Sequence, residues 1–158
     1  MAHLTPLDPF VPSSDGAGAS PDGVDRSGDA RPHILVMNDE QELLDLFKDL
    51  LEEEGYRVST SIHMLDLEKV RQLRPDLMVL DIMFEGASKG WPFITMARMD
   101  RQLCGIPIIF CTAAIRTVEP MLERLTAQQI RVIYKPFQLE ELLNAITVAL
   151  AATARLSP

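Results

Sequence analysis

Five short apolar segments alternate with helical patterns through most of this 158-residue chain, and this alternation restricts the folds it can adopt. The apolar segments cover residues 33–37, 56–61, 76–81, 106–112 and 130–134. Helical patterns follow them at residues 39–55, 66–73, 92–103, 118–127 and 139–153. Strands joined by helices imply a parallel sheet with helices on both faces. The sequence therefore predicts one doubly wound α/β domain, with its more polar second strand at an edge.

The helical patterns also contain start and stop signals. Four apolar side chains share one face of the first pattern; they are Leu43, Phe47, Leu50 and Leu51. Gly55 suits the C-terminal end of this helix. Pro92 and Pro120 suit the beginnings of the third and fourth helices, because the N–H that proline lacks has no partner there.

Polar side chains stand at the predicted carboxyl ends of four strands. The residues at these ends are Asn38, Asp39 and Glu40 for the first strand, Asp81 for the third, Thr112 and Ala113 for the fourth, and Tyr134, Lys135 and Pro136 for the fifth. Ligands of open parallel sheets bind outside the carboxyl ends of the strands. We therefore expect a polar crevice at this edge, where Lys135, a metal ion or both meet the charge of Asp81.

This set of side chains favours the acceptance of a phosphoryl group. Two neighbouring carboxylates repel each other unless a cation lies between them, and Mg²⁺ binds carboxylate and water oxygens. A carboxylate beside Mg²⁺ and a lysine can attack phosphorus as a nucleophile, while both cations neutralise the phosphoryl oxygens. A threonine hydroxyl can then hydrogen-bond the transferred group.

Four segments carry a resemblance to a known family: "ILVMNDE", "PDLMVLDIM", "IPIIFCTA" and "YKPF". In this order and at these spacings, residues 33–152 resemble the response-regulator receiver domain, the phosphoacceptor module of two-component signalling. The resemblance implies a flavodoxin-like, five-stranded parallel sheet of order 2-1-3-4-5. It also implies a cis peptide bond between Lys135 and Pro136.

The resemblance further implies a role for each matching residue. Asp81 is the expected phosphoacceptor. The expected Mg²⁺ ligands are Asp39, Asp81 and the backbone carbonyl of Met83, with Asn38 and Glu40 as further candidates. Thr112, Ala113 and Lys135 are expected to contact the phosphoryl group. A histidine kinase or a phosphotransfer protein is the implied donor.

The chain departs from the family pattern at three places. Asn38 replaces one acid of the acidic pair, which reduces the negative charge available to Mg²⁺. Val132 occupies the position of the switch aromatic. The loop after Asp81 is one residue longer, with Glu85 in place of a proline. Lys89, in this loop, either reaches over the pocket or is solvated, and we prefer solvation.

Residues 1–32 differ in composition from the remainder, because they contain five of the eleven prolines and four of the eight glycines. No strand or helix period is present there, which is typical of a disordered leader. A docking arm with Phe10 and Val11 as its anchor is the alternative. The expected organisation is therefore an arm at residues 1–32, a domain at residues 33–152 and a tail at residues 153–158.

The formal net charge of −8, without a basic stripe, disfavours nucleic acid and anionic membranes as partners. No apolar run is long enough for a bilayer span, and no signal peptide is recognisable. Both cysteines, Cys104 and Cys111, are expected to pack as small apolar residues in a reducing cytoplasm.

Three functions remain in competition. The first is a stand-alone receiver that is phosphorylated on Asp81 and signals by binding another protein; since only "RLSP" follows the last helix, we expect no attached output domain. The second is an adaptor that binds partners without phosphorylation, which Asn38 and Val132 favour. The third, a flavin-binding domain, is disfavoured by the acidic loop after the first strand. None of the three is a conventional enzyme, and a homodimer is left open.

Overall fold

The five predicted strands pair in parallel into one sheet of order β2-β1-β3-β4-β5, which confirms the predicted fold class. A computed structural model describes residues 29–84, 86 and 88–156. Its strands are β1 (His33–Met37), β2 (Arg57–Ser61), β3 (Leu77–Asp81), β4 (Ile108–Thr112) and β5 (Ile130–Tyr134). Its helices are α1 (Gln41–Glu53), α2 (Leu67–Leu73), α3 (Gly90–Met99), α4 (Ile115–Val118), α5 (Leu122–Ala127) and α6 (Leu139–Ala154).

Burial on both faces explains the apolar sequences of the central strands. Every residue of β1, β3 and β4 is buried. One face of the sheet packs against α1 and α6, and the other packs against α2, α3 and α5. β2 is only half-buried and lies at an edge, as its polar sequence predicts. No helix in the described part of the chain combines the length and the apolar composition that a bilayer crossing requires.

The third helix begins and ends earlier than the predicted residues 92–103. It covers Gly90–Met99, with Pro92 in its first turn. Asp100 ends it, because its backbone is extended and its Oδ1 accepts the N–H groups of Gln102 and Leu103 at 2.9 and 3.2 Å. The local side-chain hydrogen bonds therefore replace the next helical turn.

The fourth helix is not the continuous helix predicted for residues 118–127. Two short helices, α4 and α5, flank a 3₁₀ turn at Glu119–Met121. Pro120 lies inside this turn and has no N–H for an α-helical hydrogen bond. The proline therefore interrupts the helix that its position was expected to start.

The buried face of α1 is centred on a different leucine from the one predicted. Leu44, Phe47 and Leu51 are buried, whereas Leu43 and Leu50 are half-buried at the flanks. This set follows the i, i+3, i+7 spacing of one helical face. The helix is therefore rotated slightly from the predicted orientation.

The two cysteines differ, so the prediction that both pack in the core is wrong for one of them. Cys111 is buried on β4, and burial raises the pKa of its thiol to about 12. Cys104 is exposed. Because α3 ends at Met99, Cys104 falls in the following turn and not on an inward helix face.

The amino edge of the sheet is held by polar contacts around the buried His33. The backbone N–H of His33 donates to Asp76 Oδ2 at 2.7 Å, and the backbone N–H of Asp76 donates to the His33 carbonyl at 2.7 Å. The His33 ring lies between the Leu73 carbonyl, 3.1 Å from Nδ1, and Ser59 Oγ, 2.7 Å from Nε2. Because a carbonyl can only accept, Nδ1 carries the proton. One imidazole therefore joins β1 to β2 and to the end of α2.

Several predictions from the sequence fall outside the described residues. They concern Glu85, the arm up to residue 28 with Phe10 and Val11, and the last two residues of the tail. The helix α6 itself extends to Ala154, one residue beyond the predicted end.

Gly90 brings the start of α3 against the backbone that leads out of β3. A Cβ at this position would lie 2.9 Å from Ile82 Cα and 3.1 Å from the Asp81 carbonyl oxygen. The backbone N–H of Gly90 also donates to the Ile82 carbonyl at 3.2 Å. Only glycine permits this close approach without a backbone shift.

We predict that Gly90→Ala lowers the free energy of unfolding by about 1–3 kcal/mol, because the added methyl group overlaps backbone atoms that cannot rotate away. Gly105→Ala is the matched control, since a Cβ there meets nothing within 4 Å. Urea unfolding of both variants measures the difference. Equal stability of the two variants would show that the backbone near Ile82 relaxes freely.

Candidate functional site

Asp81, the last residue of β3, is the centre of the polar cluster at the carboxyl edge of the sheet. Its side chain is only 10% exposed, so its charge needs partners. Lys135 Nζ donates to Oδ2 at 2.8 Å, and the backbone N–H of Met83 donates to Oδ1 at 3.0 Å. Both carboxylate oxygens are therefore engaged, and Lys135 is one cation that meets the charge of Asp81.

Lys135 follows directly after β5 and is fixed through its backbone. Its N–H donates to the Thr112 carbonyl at 2.8 Å, and the peptide bond to Pro136 is cis, as predicted. Partial burial by itself would lower the pKa of Lys135, but the hydrogen bond and the attraction of Asp81 outweigh it and raise the pKa above its usual value. The ammonium group therefore stays charged at neutral pH.

Thr112 places a hydroxyl group at the same edge. It is the last residue of β4, directly after Cys111, which lies opposite Asp81 in the pairing of β3 with β4. Its side chain is 1% exposed, and its Oγ1 accepts the N–H of Ala114 at 3.0 Å. The hydroxyl proton remains available for donation to an acceptor. Ala113, in the same turn, is exposed.

The segment after β1 places three further predicted residues at this edge. Asn38 is buried, and its Oδ1 accepts the backbone N–H of Glu40 at 2.9 Å. Asp39 is half-buried, and Glu40 is exposed. Asn38 thus shapes the turn into α1 with an oxygen that carries no formal charge.

The donor set at this edge suits a hard cation more than a soft one. Of the ligands predicted from the sequence, Asp39 and Asp81 carry carboxylate oxygens and Met83 carries a backbone carbonyl. Mg²⁺ binds through one or two carboxylates and retains several waters, so the chemistry of these residues fits it. Within the described residues, no group of three or more His, Cys, Asp or Glu side chains could hold a metal ion.

The switch-aromatic position is occupied by a smaller side chain. Val132 is half-buried and packs against the core on the α5 side of the sheet. Trp91, in the first turn of α3, lies edge-on to Phe110 with 5.6 Å between ring centroids. Lys89, just before α3, is exposed.

Sequence reasoning missed an apolar cleft of about 380 Å³ beside Lys135. Its walls include Leu43 and Leu46 of α1 and Phe137 of the loop after β5. Leu46 is 53% exposed. The available signal was that Leu46 lies outside the predicted buried face of α1, where a polar residue is expected.

Comparison with known proteins finds one family model that matches more than half of the chain. It is the response regulator receiver domain, and it matches residues 34–147. Curated relatives include the DNA-binding response regulator MtrA of Mycolicibacterium paratuberculosis, 33% identical over 76% of this chain and 52% of the relative. The response regulator SaeR of Staphylococcus aureus is 32% identical over 72% of this chain and 48% of its own length.

Solved structures show the same similarity. A CheY-like response regulator receiver domain protein from Methanospirillum hungatei matches with a TM-score of 0.70 and 26% identity, over 81% of this chain and all of the other. The chain spans about half the length of the curated relatives that it matches.

We predict a favourable coupling between Asp81 and Lys135 of about 1–3 kcal/mol, because removal of one partner leaves the other charged in a largely buried place. The measurement is a double-mutant cycle of Asp81→Asn and Lys135→Met, followed by urea unfolding at neutral pH. Strict additivity of the two substitutions would contradict the ion pair as a stabilising contact.

Proposed function

Because the chain belongs to the response regulator receiver domain family, we propose that it accepts a phosphoryl group on Asp81 from a histidine kinase or a phosphotransfer protein. The observation that carries the proposal is the contact of 2.8 Å between Lys135 Nζ and Asp81 Oδ2 at the carboxyl edge of the sheet. A carboxylate next to a fixed ammonium group, with a threonine hydroxyl on the neighbouring strand, has the requirements of an acyl phosphate site.

In the proposed step, an oxygen of Asp81 attacks the phosphorus of a phosphohistidine. The new bond joins this oxygen to phosphorus, and the bond between phosphorus and the imidazole nitrogen breaks. The electron pair of that bond remains on the donor imidazole, which then takes up a proton. Asp81 becomes an aspartyl phosphate, so the carboxylate charge that Lys135 neutralises is lost and the charge that the phosphoryl oxygens bring with them takes its place.

We propose that Mg²⁺ is required, with Asp39, Asp81 and the Met83 carbonyl as its ligands and with Asn38 and Glu40 nearby. When bound, Mg²⁺ supplies positive charge to the phosphoryl oxygens. Lys135, which directly follows β5, supplies the second positive charge. Met83 also donates its N–H to Asp81 Oδ1, which holds the carboxylate in a fixed orientation.

Thr112 is the proposed reader of the modified state. Its hydroxyl group can donate to a phosphoryl oxygen, and its Oγ1 now holds the N–H of Ala114 at the entry to α4. A new contact of this hydroxyl group would therefore alter the hydrogen bond to Ala114 at the start of α4. The added charge of roughly −1.5 to −2 supplies the attraction.

An adaptor that binds partners without phosphorylation is the second candidate. The uncharged Asn38 favours it, because its Oδ1 is already used by the N–H of Glu40. The charged pair of Asp81 and Lys135 favours the phosphoacceptor, since an adaptor has no need of a buried ion pair. We therefore propose phosphoacceptance first.

The output is proposed to be protein binding. The matched segments cover about half the length of the relatives named above as response regulators, and one of these relatives is described as DNA-binding. The net charge of −8 argues against direct contact of the present chain with nucleic acid.

We predict that acetyl phosphate with Mg²⁺ adds one phosphoryl group to the protein, that Asp81→Asn abolishes the adduct and that EDTA prevents it. Intact mass spectrometry measures the adduct. Hydroxylamine should remove it, because an acyl phosphate is labile to this nucleophile.

Asp45→Asn is the matched control, because Asp45 is an exposed aspartate on α1 and should not affect the adduct. An adduct that persists in Asp81→Asn, or that forms equally in EDTA, would falsify the phosphoacceptor proposal. No adduct under any condition would favour the adaptor.

We predict that Asn38→Asp lowers the Kd for Mg²⁺ by about tenfold or more, since a second full charge beside a divalent ion adds more than 1 kcal/mol of attraction even in water. Aspartate can still accept the N–H of Glu40, so the turn should persist. Titration calorimetry measures the Kd. Asn144→Asp, an exposed site on α6, adds the same charge away from this edge and should leave the Kd unchanged.

A further inference from the structure

A groove of about 540 Å³ between α3 and α5 has no role in the proposed phosphoryl transfer. Its apolar walls include Trp91, Met99 and Met121, and its two charged side chains are Arg98 and Arg124. No carboxylate lines it. Met99 is 81% exposed, so it adds accessible apolar surface to these walls.

The positive charges of this groove lack acidic partners. Arg98 donates from Nε to the Gln128 carbonyl at 3.0 Å and from Nη1 to the Leu103 carbonyl at 3.3 Å. Its Nη2 is buried without a hydrogen-bond partner among the described residues. Within that same part of the chain, neither Arg98 nor Arg124 forms an ion pair. An occupant that is both apolar and anionic would therefore complement the groove.

The first 28 residues of the chain have this chemistry. They contain four aspartates and one arginine, Arg26, and no lysine or glutamate. Their bulky apolar residues cluster around one acid, because Leu7, Phe10 and Val11 lie within three positions of Asp8. In the groove, the exposed cation Arg124 lies beside aromatic and thioether side chains. This arrangement suits a segment in which an acidic residue is close to a phenyl ring.

The connection is also long enough. Helices α3 and α5 end at the edge of the sheet where β4 and β5 begin, and β1 begins at that same edge. β1 and β4 are separated by β3 alone, so they lie about 10 Å apart. The 18 peptide steps from Val11 to Asp29 can extend to about 60 Å. The amino-terminal segment can therefore reach every part of the groove.

We propose that residues 7–11 dock in the groove between α3 and α5 of the same chain, with Phe10 between the apolar walls and Asp8 paired with Arg124. A short tether gives an effective concentration on the order of 1 mM. If the separate, untethered segment bound the groove with a Kd of about 0.1 mM, the tethered segment would occupy the groove about 90% of the time. The inference does not depend on phosphorylation of Asp81.

Trp91 allows a direct test, because it lines the groove and is the single tryptophan of the chain. Acrylamide quenching of the full-length protein measures its accessibility. In the wild type, occupancy of the groove about 90% of the time should protect Trp91 from acrylamide. Phe10→Ala should remove this protection, and so should Arg124→Glu. The double variant Asp8→Lys with Arg124→Glu should restore protection, because the two charges are exchanged. Arg116→Glu, at an exposed arginine outside the groove, is the control and should have no effect.

Equal quenching of the wild type and Phe10→Ala would overturn the proposal, and so would an effect of Arg116→Glu as large as that of Arg124→Glu. Protection that is lost on dilution of the wild type would assign the groove to a second copy of the chain. Circular dichroism of each variant shows whether the fold is retained. Phe10 is outside the described residues, so Phe10→Ala still tests the proposal if Arg124→Glu unfolds the domain.

Discussion

The parallel register of β3, β4 and β5 is the constraint on which the chemistry of this domain depends. Asp81 and Lys135 are 54 positions apart in the chain, yet they form a contact of 2.8 Å because both strands end at the same edge. Cys111 pairs with Asp81 in the sheet, and Thr112 pairs with Tyr134, so the strand that carries the hydroxyl group lies between the strand of the acid and the strand that leads to the lysine. Slippage of one strand by one residue would turn the side chains of that strand to the other face.

The sequence predicts this sheet well for a physical reason. Strands that are buried on both faces must be almost wholly apolar, so "LMVLD" and "IIFCT" stand out, and the polar residues that follow mark the carboxyl edge. The cluster of Asp81, Thr112 and Lys135 could be predicted from these positions alone. The donor to Oδ1 of Asp81, the Met83 N–H, could not, because a backbone hydrogen bond leaves no trace in the residue type.

Helix boundaries were predicted less well, because they depend on local hydrogen bonds and on packing. Asp100 ends α3 through bonds of its own carboxylate, and Arg71 donates to its Oδ2 at 2.8 Å from α2. The early start of α3 depends on the contact of Gly90 with the backbone of Ile82, which involves no side chain of Gly90. Such features follow from the folded structure and not from the period of the sequence.

The buried imidazole joins three elements of the fold at the edge of the sheet opposite to Asp81 and Lys135. Around His33, strands β1 and β2 and the end of α2 are joined by short hydrogen bonds, and Asp76 closes a reciprocal pair with the backbone of the same residue. At the carboxyl edge, the contact of Asp81 with Lys135 and the contact of Thr112 with Ala114 each depend on a side chain of the polar cluster. The two edges therefore meet different requirements on the sequence. Residues at the carboxyl edge can diverge to suit a different phosphoryl donor or partner protein, while residues at the amino edge preserve the alignment of the strands.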